Sequence, residues 1–306
     1  MKLFQLLFLA FSIAFIFSCK KDKKADYTEL VEVFDYSKDA VFDTLNVPQH
    51  LRNIVKQISE NNVYQTESIG KGVNKPANFA NFEELSKIAS DNELLSLVNN
   101  KNKTVAVYAA IGLLDRKPEL LNKIFLSFLN SKTKIYTENS CIFGDQNPAK
   151  PLYHAYNRSL NAKDARTDPM LQKLDSIIIF NPNSPENLLQ EALRYKIYPK
   201  NFRKRIEDLA FQNHEISAIN YLSHWHKGDY SRILQKEFIS MIKNDSFAYS
   251  KKKILSELLS FKNPDNKEFI LDYLKKDTLL NDEYEIIWQL NDNGIFDGEY
   301  PRKKGY

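Results

Sequence analysis

The sequence predicts an all-α fold built from antiparallel helix pairs, and three observations carry that prediction. From residue 48 onward, apolar residues recur at helical spacing through most of the chain. The periodic runs are joined by turns as short as NNKN at 99–102 and DRK at 115–117, and such short connections make consecutive helices antiparallel. One plan of apolar run, Asn-rich turn, helix and break occupies 97–129, recurs at 209–242, and repeats its last half at 258–274.

The chain opens with MKLFQLLFLAFSIAFIFSC, one Lys ahead of an apolar stretch from Leu3 to Phe17. A membrane span needs roughly 20 apolar residues; this stretch is shorter and KKDKK follows at once, so residues 1–18 read as a secretory signal peptide. Ile16-Phe17-Ser18-Cys19 resembles the lipobox of bacterial lipoproteins. That resemblance implies a diacylglyceryl group on Cys19, cleavage just before it, and a membrane as partner through the N-terminal lipid. The other cysteine is Cys141, so an acylated Cys19 leaves no intramolecular disulfide, and the fold must rest on its core. Cys141 itself reads as a small half-buried side chain, because no His or Lys near it in sequence would lower its pKa.

The formal charge of +4 resides entirely in Lys2 and KKDKK at 20–24, and residues 25–306 balance. A balanced folded part is not the footprint of a phosphate-binding face, so no nucleic acid partner is expected. Residues 19–47 read as a lipid-anchored tether and a short N-terminal segment in which YTELVEVFDY and AVFDTL are read as helical.

A first helical region spans 48–139. In VPQHLRNIVKQISENN, Pro48 suits a first turn, while Leu51, Ile54, Val55 and Ile58 form one stripe. SIGKGVNKPANFANF reads as a loop; its GxG lacks the GK[ST] ending of a phosphate loop. FEELSKIA, NELLSLV, KTVAVYAAIGLL and PELLNKIFLSFL then follow as helices, with Val105, Tyr108, Ala109 and Leu113 on one face.

KNKTVAVYAAIGLL resembles the second helix of a HEAT repeat, although it lacks the Asp and the Arg that such repeats carry around the Val. Lys117-Pro118-Glu119, Lys227-Gly228-Asp229 and Lys262-Asn263-Pro264-Asp265 each set a breaker before an acid, and Asp229 and Asp265 lie 36 residues apart, within the roughly 33–47 of helical repeats. The resemblance covers 82–130 and 185–290. It implies a right-handed α-solenoid whose surface binds proteins or peptides, with no catalytic residue and no cofactor.

Residues 140–169 read as a loop-rich insert with three prolines and little periodicity. At its centre, Tyr153, His154, Tyr156 and Arg158 form a possible binding surface; the competing reading is a short helix that docks the two halves, with both tyrosines as packing residues. A second helical region spans 170–306. It holds an apolar run at 177–180 of undecided type and a helix start at Ser184-Pro185-Glu186. The basic run RYKIYPKNFRKR at 194–205 is flanked by Glu191, Glu207 and Asp208 and reads as a solvated helix face. His224 and His226 sit about 200° apart on a helix and cannot share a metal, so no metal is expected. The helix Ile216–Trp225 is predicted to end at HKGD, with Gly228 as its terminator. YPRKKGY reads as a loosely docked end.

These readings describe a lipid-anchored cell-envelope protein, placed in the outer membrane, that acts as a scaffold for an unidentified protein or peptide partner and is not an enzyme. The alternative is a cell-envelope hydrolase or a glycan-binding lipoprotein that uses the 140–169 insert.

Overall fold

A computed structural model describes residues 35–67, 75–139, 142–161, 167–194, 196–244, 251–277 and 283–301. The Cys19 lipobox, the GxG at 70–72, Cys141 and the tail from 302 lie outside the described residues. Those described form fourteen α-helices and one small sheet of three strands.

Helix α1 (Arg52–Asn61) follows a 3-10 turn, Gln49–Leu51, set by Pro48. Leu51, Ile54, Val55 and Ile58 are all buried, as their spacing predicts, and each such side chain contributes about 1.5–3 kcal/mol on burial. Asn62, at φ 47°, ends the helix and turns the chain into β1 (Val63–Gln65).

Four helices follow: α2 (Ala77–Ile88), α3 (Asp91–Leu97), α4 (Lys103–Gly112) and α5 (Leu121–Leu129). The expected loop from 68 to 82 therefore gives way to helix at Ala77. Asn78 explains the start, since its Nδ2 donates to the Val63 carbonyl at 2.7 Å and its N–H to Gln65 Oε1 at 2.9 Å, both beneath the helix. A capping box between Ser90 and Glu93 opens α3. Buried alanines on α4 admit its neighbours closely; a Cβ on Gly112 would stand 3.2 Å from Leu94 Cδ1.

Most of YTELVEVFDY lies outside the described residues, and the rest of the N-terminal segment, residues 35–47, is not the helix its sequence suggests. Among residues 35–47 only a 3-10 turn, Tyr36–Asp39, is helical, and three asparagines hold the main chain instead. Asn62 Nδ2 donates to the Tyr36 carbonyl at 2.8 Å, Asn102 Nδ2 to that of Val41 at 3.2 Å, and Asn100 Nδ2 to that of Asp43 at 2.9 Å. Asn102 also accepts the Val105 N–H at 3.1 Å and so caps α4. An Asp would cap equally well but could not donate to the Val41 carbonyl, which accounts for Asn at this cap.

The described residues are mostly helical, as expected, and one small sheet departs from the all-α expectation. β1 pairs in parallel with β2 (Ile135–Asn139), and β2 pairs antiparallel with β3 (Ile142–Gln146), in the register Val63↔Tyr136 and Thr137↔Gly144. Ile135 and Thr137 are buried and Tyr136 between them is half exposed, a period of two that a helix-spacing reading passes over. Of the two readings of the 140–169 insert, the one with a short helix describes its centre, where α6 (Ala149–Ser159) lies.

Eight helices complete the chain. They are α7 (Pro169–Phe180), α8 (Glu186–Leu193), α9 (Lys200–Phe211), α10 (Ile216–Trp225), α11 (Lys227–Lys243), α12 (Lys251–Leu259), α13 (Lys267–Lys276) and α14 (Tyr284–Asp292). The undecided run at 177–180 is helical. α10 ends where its sequence predicts, but the break is His226, at φ −136° and ψ 27°. Gly228 lies in the first turn of α11 and terminates nothing. The chain end is docked rather than loose as far as Tyr300, whose ring is buried with Ile295.

Packing is largely between neighbours in sequence. α5 rests on α6 and α7, α7 on α8 and α9, α10 on α8, α9 and α11, and α12 on α11 and α14. One continuous apolar core runs from Val47 to Tyr300. No helix among the described residues is long and apolar enough to cross a membrane.

Candidate functional site

The four residues predicted as a binding surface do not share one. Tyr153 is only 2 % exposed; it packs on Phe125, and its hydroxyl donates to Asp175 Oδ1 at 2.6 Å. Tyr156 is half buried and donates to Asp168 Oδ1 at 3.0 Å, and the same oxygen caps α7 through the Leu171 N–H. Burial and that bond push Tyr156 up to about 12. His154 is half buried with Nε2 3.9 Å from Glu191, and burial lowers its pKa. Arg158 is exposed, its guanidinium 3.5 Å from the Tyr64 hydroxyl. The tyrosines are thus the packing residues of a docked helix.

Beneath them is a buried polar centre. Asp175 on α7 has a fully covered side chain, pairs with Lys196 and accepts from Tyr153. Burial raises its pKa in spite of both partners. Tyr198, two residues past Lys196, donates to the Ala192 carbonyl, while its own N–H goes to the Tyr221 hydroxyl at 2.9 Å. The centre pins the α8–α9 connection to α7. Its partners are all side chains and main chain of the fold, which gives it a structural role.

A wide opening lies elsewhere. A cleft of about 770 Å³ runs over the first turns of α8 and α10, between the α5–β2 turn and α12. Two of its asparagines fix its wall: Asn147 Nδ2 donates to the Leu129 carbonyl at 3.1 Å, and Asn130 Oδ1 accepts from Asn181 at 2.9 Å. Five further carboxamides border it, those of Gln146, Asn183, Asn187, Gln190 and Asn220. None of these five side chains has a hydrogen-bond partner among the described residues, and Asn187 Oδ1 is buried without one. A buried acceptor left unpaired costs about 1–3 kcal/mol, so such a group is either a defect or a socket.

The main chain adds donors. Ser184, the expected cap of α8, instead donates its hydroxyl to the Ile178 carbonyl at 2.6 Å, and neither α8 nor α10 has a side-chain cap. The first-turn N–H groups of Asn187 and Ser217 consequently have no intrahelical partner at the cleft. Lys132 and Lys134 stand opposite Asp145 and Glu186, so the charge is mixed. Glu215, which precedes α10, is pushed up by burial and then by Glu186. The sequence signal for this site is a pair of polar residues at i, i+3 in successive helix starts: Asn187 with Gln190, then Ser217 with Asn220.

The histidines are occupied separately. His226 Nδ1 lies 3.0 Å from Arg203 and 3.8 Å from Asp229, and His214 Nδ1 lies 3.0 Å from Glu237. His224 meets Trp225 edge-on. Among the described residues no group of three or more His, Cys, Asp or Glu is placed to hold a metal ion. Arg203 and Arg205 of the basic run are committed to Asp229 and to the Ile179 carbonyl.

No family model matches this chain, and neither a curated protein nor a solved structure shows significant similarity to it.

Proposed function

We propose that the protein is lipid-anchored at Cys19 in the bacterial cell envelope, on the outer membrane, and that it is a non-catalytic scaffold binding an extended peptide segment of a partner. The helices are read as a right-handed HEAT-like α-solenoid, which the packing of each helix on its sequence neighbours supports. The cleft carries the functional reading. Its unpaired carboxamides and helix-start N–H groups supply donors and acceptors together, as an extended main chain requires. The molecule already uses that chemistry internally, where Asn62, Asn100 and Asn102 grip the carbonyls of residues 36–43.

The test is a double variant, Asn187→Leu with Asn220→Leu, measured by fluorescence polarisation against peptides selected from a random library on the wild-type protein. A loss of tenfold or more in affinity, with a melting temperature no lower than the wild type's, is expected from removing hydrogen bonds of roughly 1 kcal/mol each and one buried unpaired acceptor. A library that yields no binder, or binders indifferent to the double variant, would overturn the reading.

A further inference from the structure

The cleft has no aromatic residue in its wall, yet it opens into a smaller pocket of about 260 Å³ that does. Gln190, Ser217, Asn220 and Lys253 border both spaces, so the two are continuous. Beyond that rim the wall has an apolar side, Leu193 at the end of α8 with Tyr221 and Trp225 on α10, and a polar side, Arg194, His224 and Glu257. Leu193 and Tyr221 are buried in the core, hence fixed. The Tyr221 hydroxyl is committed to the Tyr198 N–H, which leaves its ring rather than its polar end as a contact surface. Trp225 is held edge-on to His224, ring centroids 4.4 Å apart at 85°.

We infer that this pocket takes one aromatic or branched aliphatic side chain of the bound peptide and sets its sequence preference. The inference rests on the peptide reading of the cleft. Main-chain bonds to amides give affinity without sequence, and a recess at their edge with one aromatic wall is where selectivity enters. Gln190 on α8 and Asn220 on α10 stand at the junction, placed to hold the main chain on either side of the anchored residue.

A positional-scanning library of peptides of about eight residues, roughly 27 Å when extended, tests it by fluorescence polarisation on the full chain. One position is expected to select Phe, Tyr, Leu or Ile, with tolerant flanks. Trp225→Ala should weaken those peptides about ten- to a hundredfold and leave versions with Ala at that position unaffected, while Trp225→Phe should retain most of the preference. Binders with no preferred position would overturn the pocket and leave the cleft standing; no binder at all would overturn both. Should Trp225→Ala not fold, Trp288→Phe gives a protein in which Trp225 is the sole tryptophan of the two in the chain. Its emission is expected to shift on binding an anchored peptide, and an unchanged emission at saturation would contradict the inference.

Discussion

The hydroxyl of Tyr108 closes both hydrogen-bonding groups of one residue, accepting the N–H of Gln65 at 2.8 Å and donating to its carbonyl at 2.9 Å. The ring is buried, stacked on Phe82 at 5.1 Å and tilted against Tyr64 at 5.2 Å. Gln65 continues the network, its Oε1 accepting from Asn78 and its Nε2 donating to Glu138 at 2.7 Å. Four elements, β1, β2, α2 and α4, meet at this one side chain, and it is what attaches the sheet to the helices.

Tyr108→Phe keeps the ring and orphans both main-chain groups of Gln65. A loss of about 1–3 kcal/mol is expected, seen as a lower denaturant midpoint with an unchanged slope. A midpoint equal to the wild type would mean that the sheet is held by something else.

Asn102→Asp keeps a side chain that can cap α4 and should nonetheless destabilise the protein. The cap on Val105 N–H survives, but a carboxylate then faces the Val41 carbonyl and Asn62 Oδ1, each 3.2 Å from the present Nδ2. About 1–3 kcal/mol is the expected cost, with faster proteolysis of the 35–47 segment as its signature. Equal or greater stability would refute the donor role.

Asp175 makes stability pH-dependent in a direction opposite to an exposed ion pair. Burial raises its folded pKa above the ordinary 3.8, so the folded state binds the proton more tightly than the unfolded one. That contribution is fully present below the unfolded value and is lost as pH rises through the folded value. The difference in unfolding free energy between wild type and Asp175→Asn should therefore decline over that interval. Asp175→Ala, which strands the largely covered Lys196 ammonium, is expected to cost about 3–5 kcal/mol near neutral pH. A flat difference profile for Asp175→Asn would contradict the assignment.

The helices were legible because each carries its own apolar stripe; Leu51 to Ile58 in α1 and Val105 to Leu113 in α4 are buried where spacing put them. The sheet was not, since β1 has three residues and its partner lies far along the chain, beyond any local pattern. The insert left two readings open because of its prolines, yet Pro148 caps α6 and Pro151 sits in its first turn, positions a helix accepts. Tyr153 and Tyr156 were rightly adjacent but could not be assigned a side without knowing that Asp175 waits inside. The cleft was hidden because its lining comes from five separate stretches, and their amides resemble ordinary surface polarity until they converge.

The most direct test of the central claim is site-specific photo-cross-linking in native membranes, with a benzophenone amino acid at position 220 in the cleft and, separately, at position 56 on the exposed side of α1. Adducts at 220 that map to one extended segment of a partner, with none at 56, are predicted. Equal labelling at both positions, or none at 220, would contradict peptide binding in the cleft.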